Sequence, residues 1–253
     1  MKRILALSAA LVLGIALLAG PALAKTLVVA HDTNFKPFEF KDEKGEYTGF
    51  DIELWKEIAK RLGLEYKMQP MDFNGIIPGL QTAQVDVGIA AMTITDERAK
   101  VVDFSDPYYD SGLSILVRAD NDTITKLEDL EGKVVATKLG TSSPDFLKAN
   151  AKTKELKLFP NNDGMFFELQ AGRAEAAFFD LPVVQEYANT AGKGKVKVVG
   201  PVYEGQSYGI AFPKGGDLRD KVNVALKEMK ADGTYEAMYI KWFGEAPKSK
   251  AAQ

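Results

Sequence analysis

The sequence predicts an α/β protein built as two lobes. Three observations carry that prediction. Short β-branched apolar runs alternate with amphipathic helical stretches, the alternation starts afresh partway along the chain, and no linker rich in Pro, Gly or Ser separates the two series. With 253 residues, 46% of them hydrophobic, the chain can fill two cores.

The first series begins at residue 26 with "TLVVAHD", a buried strand ended by a turn. "DIELWKEIAKRLG" reads as a helix with Ile52, Trp55, Ile58, Ala59 and Leu62 on one face and Gly63 as its stop. "LEYKMQP" reads as a strand, "GIIPGLQTA" as a short helix and "VDVGIAAMT" as a strand. The second series opens with the strand "SGLSILVRA" and the short helix "TKLEDLEG", capped by Thr125. The strand "KVVATKLG" follows, then a helix in "SSPDFLKANA" with Pro144 in its first turn. "LKLFP", "DGMFFELQAG", "AEAAFFD", "LPVVQEYANTAG" and "VKVVG" continue the alternation. After a strand in "SYGIAFPKG" come two helices, which breaks the serial order. The lobes are therefore expected to be joined by short extended crossings, near 108–112 and 204–208.

At the N-terminus, Lys2 and Arg3 precede an uncharged stretch, then Gly20, Pro21 and the small-x-small triplet Ala22, Leu23, Ala24. That is the pattern of a signal peptide cut after Ala24. An uncleaved anchor is the alternative, because the apolar run is nearly long enough to span a bilayer; a Pro beside a small-residue triplet suits a protease better than a continuing helix. Loss of Lys2 and Arg3 takes the net charge from -3 to -5. There is no cysteine, so an exported product rests on its cores alone and offers no thiol for lipidation. A soluble periplasmic protein is the expectation.

Composition also excludes. Without a basic surplus, nucleic acid is not an expected partner. A single histidine, His31, is too little for a three-histidine zinc site and for most Ser-His-Asp schemes. No Gly-rich phosphate-binding motif appears, so no nucleotide cofactor is expected. Carboxylate pairs such as "TDE" and "EDLE" read as solvated helix faces, and acid-base catalysis is unsupported. What remains are polar residues that end apolar runs: Asp32 after "LVVAH", Thr93 after "VGIAAM", Lys138 after "VVAT" and Asp180 after "EAAFF". Each could serve as a turn or cap. Together, at the carboxyl ends of strands, they would converge on a crevice suited to a polar ligand.

The stretches "LVVAHDTNFKPFEF", "YTGFDIELWKEIAKRLGL", "PMDFNGIIPGLQTAQVD", "MTITDERAKVVDFSDPYY", "GKVVATKLGTSS", "YGIAFPKG" and "GTYEAMYIKWFG", in that order, resemble the polar amino-acid substrate-binding proteins of ABC importers, with the glutamine-binding branch nearest. The resemblance covers essentially the whole chain after residue 24. It implies a type II periplasmic-binding-protein fold, each lobe a mixed, mostly parallel sheet flanked by helices. Lobe 1 would comprise 25–110 and 206–247 and lobe 2 would comprise 111–205, leaving 248–253 as a flexible tail. A two-strand hinge would let the lobes close on the ligand. It also implies a monomer and, as partners, the membrane permease subunits with their ATPase, and no cofactor, metal or catalytic residue.

A free amino acid is a zwitterion, so a dry cleft must supply partners for both charges. By the resemblance, Arg98 would grip the ligand carboxylate with its planar guanidinium, near a helix N-terminus that attracts the same anion. Thr93 would add a hydroxyl and backbone N–H, Ala90 and Ala91 backbone groups, and Ser142 a backbone donor to the carboxylate from across the cleft. Asp180 would receive the ammonium. Phe35 and Phe73 would wall the methylenes. Asp32 accepting from the side-chain amide and Lys138 donating to it would select L-glutamine. Two positions depart from the glutamine branch, Phe179 where it commonly has His and Ser142 where it commonly has Gly, which leaves asparagine, arginine and glutamate open. Two other readings stand beside this one: a dehydratase of the cyclohexadienyl (prephenate or arogenate) type on the same fold, and a receptor or sensor ectodomain.

Overall fold

The computed structural model describes residues 25–247; the expected signal peptide and the expected tail lie outside the described residues. In chain order, β1 (Leu27–His31) leads to a small hairpin, β2 (Phe40–Lys41) with β3 (Tyr47–Thr48), then α1 (Phe50–Leu62) and β4 (Tyr66–Pro70). After these come α2 (Phe73–Gln81), β5 (Val87–Gly88), the four-residue α3 (Asp96–Ala99) and β6 (Val102–Phe104). The long β7 (Tyr109–Arg118) crosses into the second half, which holds β8 (Val134–Lys138), α4 (Ser142–Asn150), β9 (Glu155–Phe159), α5 (Asn162–Gln170), β10 (Ala176–Asp180) and α6 (Leu181–Asn189). The 13-residue β11 (Val196–Tyr208) returns the chain to β12 (Ala211–Pro213), α7 (Leu218–Ala231) and α8 (Thr234–Phe243).

Two five-stranded sheets result, in the orders β4-β1-β5-β12-β6 and β11-β7-β10-β8-β9. Both are mixed. β1 runs parallel to β4 and β5, while β12 is antiparallel to β5 and β6. In the second sheet β8 runs parallel to β9 and β10, while β7 is antiparallel to β10 and β11. Period-2 alternation explains how each sheet is covered on both faces. Along β10, Ala176 and Phe178 enter one apolar cluster with Leu113, Ile115 and Leu147, while Ala177 and Phe179 enter another with Leu116, Met165 and Leu169.

The helices follow their sequence signals. α1 buries Leu54, Trp55, Ile58 and Ala59 against the first sheet, and Gly63 ends it at φ 63°, where a side chain would be strained. Burying a side chain the size of Leu or Ile contributes about 1.5–3 kcal/mol, so this face, not intrinsic propensity, holds the helix in place.

Five segments differ from the sequence expectation. "VDVGIAAMT" contributes only the two residues of β5, because Ala91 adopts φ 44° and turns the chain out of the sheet. "VKVVG" does not stop at Gly200; it continues through the crossing to Tyr208, and "SYGIAFPKG" is split at Gly209 and Ile210 between β11 and β12. "VVDFSDPYY" includes β6, which its acidic residues hid. Thr125 does not cap the short helix. A single 3-10 turn starts at Leu127, and Asp129 accepts from the Thr125 N–H (2.8 Å), the Thr125 hydroxyl (2.9 Å) and the Lys126 N–H (3.1 Å).

The two crossings are neighbours in one ladder, with Ser111 opposite Gln206, Asp110 opposite Ser207 and Tyr109 opposite Tyr208. Tyr109 stacks on Tyr208 at 5.5 Å and on Tyr239 at 5.6 Å, tying the crossing to α8.

Candidate functional site: a charged cleft between the lobes

β1 points its carboxyl end at the gap between the lobes, and the chain turns there at Asp32. Its Oδ1 accepts from the Thr33 N–H (2.7 Å), and its Oδ2 forms an ion pair with Lys138 Nζ at the end of β8, across the gap. Asp32 is 1% exposed and Lys138 0%. The Lys138 ammonium lies 5.4 Å from the Phe35 ring centroid and 5.8 Å from that of Phe73. Two aromatic faces and one carboxylate thus hold a cation that burial alone would disfavour.

Arg98 is the third residue of α3. Four residues make a weak dipole, so the expected help from a helix N-terminus is small; the Arg98 N–H is instead capped by Thr95 Oγ1 at 3.2 Å. The guanidinium donates to the Thr93 carbonyl (2.7 Å) and, across the gap, to the Gly140 carbonyl (3.0 Å), and it sits 5.3 Å from the Phe73 ring centroid. Burial pulls its pKa down to about 10, against the pull of Asp180 and Asp145, so it remains a cation at neutral pH. Gly140 has φ 79°, and a Cβ there would meet Asn74 Cβ at 2.7 Å, so glycine is what lets the second lobe approach Arg98.

Asp180 closes β10. It is buried, which raises its carboxyl to about 6; the Tyr208 hydroxyl, donating at 2.6 Å, and the Arg98 charge work against that rise. The Tyr208 oxygen is also 3.0 Å from Ser111 Oγ, so the hinge strand and the acid share one hydrogen-bond chain. Thr93 Oγ1 and Ser142 Oγ, from opposite sides of the gap, both donate to Gln206 Oε1, at 3.0 and 3.1 Å. Phe179 meets Phe35 edge-on at 5.6 Å.

Eight of the ten expected residues, Asp32, Phe35, Phe73, Thr93, Arg98, Lys138, Ser142 and Asp180, are therefore connected by direct contacts or through Gln206 and Tyr208. The two alanines stand apart. The Ala90 side chain packs in the core with Ala30 and Phe73, and the Ala91 N–H is taken by Asp51 Oδ2 at 2.7 Å, which removes that one N–H from a ligand. Asp32 and Lys138, expected at the two ends of a side-chain amide, here meet each other. Sequence reasoning missed Gln206, Tyr208 and Gly140 as parts of the site, and noted Phe179 only as a departure from the glutamine branch. The first two lie in the crossing located at 204–208, and that location was the only signal available.

Beside Arg98 and Ser142 a cavity of about 490 Å³ opens to the outside, bordered by Thr95, Thr141, Asp145 and Glu204. Its wall is mostly α4 and the turn before it, with Thr95, Glu97 and Arg98 facing them, and Asp32, Lys138 and Asp180 do not border it. Further contacts span the lobes at the rim. Asn34 donates to both oxygens of Asp163 at 3.1 Å, the Asn162 amide donates to the Asn34 carbonyl at 3.0 Å, and Lys36 pairs with Glu186 at 3.1 Å. Among the described residues no cluster of His, Cys, Asp and Glu is placed to hold a metal ion.

Two lobes on a paired-strand hinge, closed over buried opposite charges, define a binding protein of the periplasmic-binding-protein fold. The chain belongs to the bacterial extracellular solute-binding proteins, family 3, which residues 27–245 match. It is similar to the L-cystine-binding protein TcyJ of Escherichia coli (strain K12), 36% identical over 225 residues, 87% of this chain and 83% of that protein. The arginine-binding extracellular protein ArtP of Bacillus subtilis (strain 168) is 38% identical over 223 residues, 87% of this chain and 86% of that one. Among solved structures, an ancestral arginine-binding protein matches when bound to glutamine, at 49% identity and a TM-score of 0.84, and when bound to arginine, at 48% and 0.83. Both cover 87% of this chain and 98% of the other. The ancestral amino acid-binding protein AncCDT-1, a precursor of cyclohexadienyl dehydratase, matches at 46% identity and a TM-score of 0.81, over 86% of this chain and 95% of its own.

Proposed function

We propose that this protein captures a free polar L-amino acid, L-glutamine foremost, by closing its lobes, and delivers it to the permease and ATPase of an ABC importer from the periplasm, after cleavage of its signal peptide. The observation that carries this reading is the convergence between the lobes of a guanidinium, a buried carboxylate and a second buried ion pair. Arg98 supplies a planar fork for the ligand carboxylate, with the Thr93 and Ser142 hydroxyls beside it. Asp180 supplies the counter-charge for the ammonium. The side chain then runs between Phe35 and Phe73 toward Asp32 and Lys138, which separate enough to take the donor and acceptor ends of a carboxamide. The relatives' named ligands, cystine, arginine and histidine, are all α-amino acids and agree with the zwitterion half of the site.

Lys138 argues against a cationic side chain. Its ammonium already lies over the Phe35 and Phe73 rings, where a ligand guanidinium would stack, and two cations in that enclosure repel. Asp32 argues likewise against glutamate.

An enzyme reading draws on the relation to AncCDT-1, but that ancestor is itself described as an amino acid-binding protein, which favours capture over turnover. The test is thermal unfolding of the processed protein against each of the twenty amino acids. At a hundred times its dissociation constant the true ligand stabilises by about 2.7 kcal/mol, and glutamine is expected to give the largest shift. A shift with arginine or glutamate and none with glutamine overturns the specificity; turnover of prephenate or arogenate overturns the class.

A further inference from the structure

One side chain on the returning crossing touches both halves of the cleft. The pairing of β11 with β7 slips twice, between Val199 and Tyr203 and again between Tyr203 and Gln206. At the second slip Glu204 adopts φ 43°, a left-handed conformation that a residue with a side chain rarely takes. Irregularities of this kind re-aim the side chains beside them. Gln206, only 8% exposed, is turned into the gap between the lobes.

The orientation of its carboxamide follows from its partners. A carboxylate only accepts, so Nε2, which donates to Glu204 Oε2 at 3.3 Å, faces Glu204, and Oε1 faces the hydroxyls. Oε1 accepts from Thr93, beyond the end of β5, at 3.0 Å, and from Ser142, in the first turn of α4, at 3.1 Å. One oxygen thus gathers a proton from each side of the gap. A hydroxyl has a single proton, so neither Thr93 nor Ser142 can donate to another acceptor at the same time. These are the hydroxyls placed beside Arg98 in the proposed amino-acid site, and the Thr93 carbonyl already holds that guanidinium at 2.7 Å.

We infer that Gln206 is a built-in competitor for the carboxylate end of the site: its Oε1 takes the Thr93 and Ser142 protons that an amino-acid carboxylate needs, draws the lobes together through them, and gives them up on capture. The exchange runs toward the amino acid because a hydrogen bond to an anionic oxygen is roughly twice as strong as one between neutral groups. Breaking the Gln206 contacts is nevertheless a cost of every capture. It belongs to the protein before binding and to no particular side chain, so it lowers all affinities by one common factor. Gln206 therefore sets how tightly amino acids are held and leaves the choice among them to the other end of the cleft.

The inference rests on the amino-acid-capture reading for its effect on affinity, but not for its effect on closure. The test compares wild type with Gln206→Met, which keeps the length of the side chain and is at most a weak acceptor. Calorimetry measures the binding of L-glutamine, L-asparagine, L-arginine and L-glutamate. Labels placed one on each lobe give the distribution of distances before any amino acid is added. Every amino acid that wild type binds is expected to bind the Met variant at least about threefold more tightly, by factors that agree within about threefold of one another. The distances in the variant should shift toward a more open arrangement. A smaller gain, a wider spread among amino acids, or a distance distribution equal to that of wild type overturns the inference. If neither protein binds any of these amino acids, the functional reading falls, and the distances still decide whether Gln206 draws the lobes together. Should the Met variant not fold, Gln206→Ala takes its place with the same expectations. Should that fail too, the magnetic resonance signals of the Gln206 carboxamide in wild type decide: displacement of these signals by saturating amino acid supports the inference, and signals that stay in place overturn it.

Discussion

The buried pair between Asp32 and Lys138 makes the sharpest prediction, because it is an ion pair that can escape into water without unfolding the protein. In the closed structure both side chains are fully enclosed. Lys138→Met would leave the Asp32 carboxylate buried with no counter-charge, which in a fixed core costs about 3–5 kcal/mol. In a hinged protein the lobes separate before that full cost is met, and Asp32 hydrates. The loss should therefore fall on closure. Affinity should weaken by roughly 100-fold to 3,000-fold, while the unfolding midpoint of the ligand-free variant moves by only about 3 °C or less. The double variant Asp32→Asn with Lys138→Met removes the stranded charge and should regain at least about tenfold over Lys138→Met alone. Calorimetric titration gives the affinities, and a distance between labels placed one on each lobe gives the closure. Recovery of less than about twofold in the double variant, or a closed Lys138→Met protein at saturating ligand, would show that the pair does not govern closure.

Two other outcomes follow from the same cleft. Arg98→Ala should cost about 3–5 kcal/mol of binding, because the ligand carboxylate loses its paired cation in a dry site; a dissociation constant within about threefold of wild type in the same titration removes Arg98 from the site. Asp180, raised to about 6, binds its proton more tightly folded than unfolded, so stability of the ligand-free protein should fall as pH rises from about 4 through about 6. Binding an ammonium needs the carboxylate, so affinity should weaken by up to about tenfold per unit as pH drops below about 6, with proton release on binding measurable by calorimetry in buffers of different ionisation enthalpy. Affinity independent of pH in that range would exclude Asp180 as the ammonium's partner.

Much of this architecture was legible in the sequence because the signals were local. Apolar runs broken by Asp32, Lys138 and Asp180 marked strand ends, and Gly63 marked the end of α1. What was not legible depended on contacts between distant segments. β5 looks like a nine-residue strand until Asp51, 40 residues earlier, takes the Ala91 N–H and turns the chain away. Gln206 and Tyr208 look like ordinary crossing residues until the register of β7 against β11 carries one to Thr93 and Ser142 and the other to Asp180. The meeting of Asp32 with Lys138 depends on how far the lobes close, which no sequence pattern encodes.

The strand order of the first sheet has a bearing on how such a chain comes to be folded at all. β12 lies between β5 and β6, so the lobe begun by the earliest residues lacks an interior strand until Ala211–Pro213 has been made. A nascent chain cannot complete that half early, and long-range pairing of this kind forms slowly. The last strand to be made thus locks into place the sheet that the first residues begin.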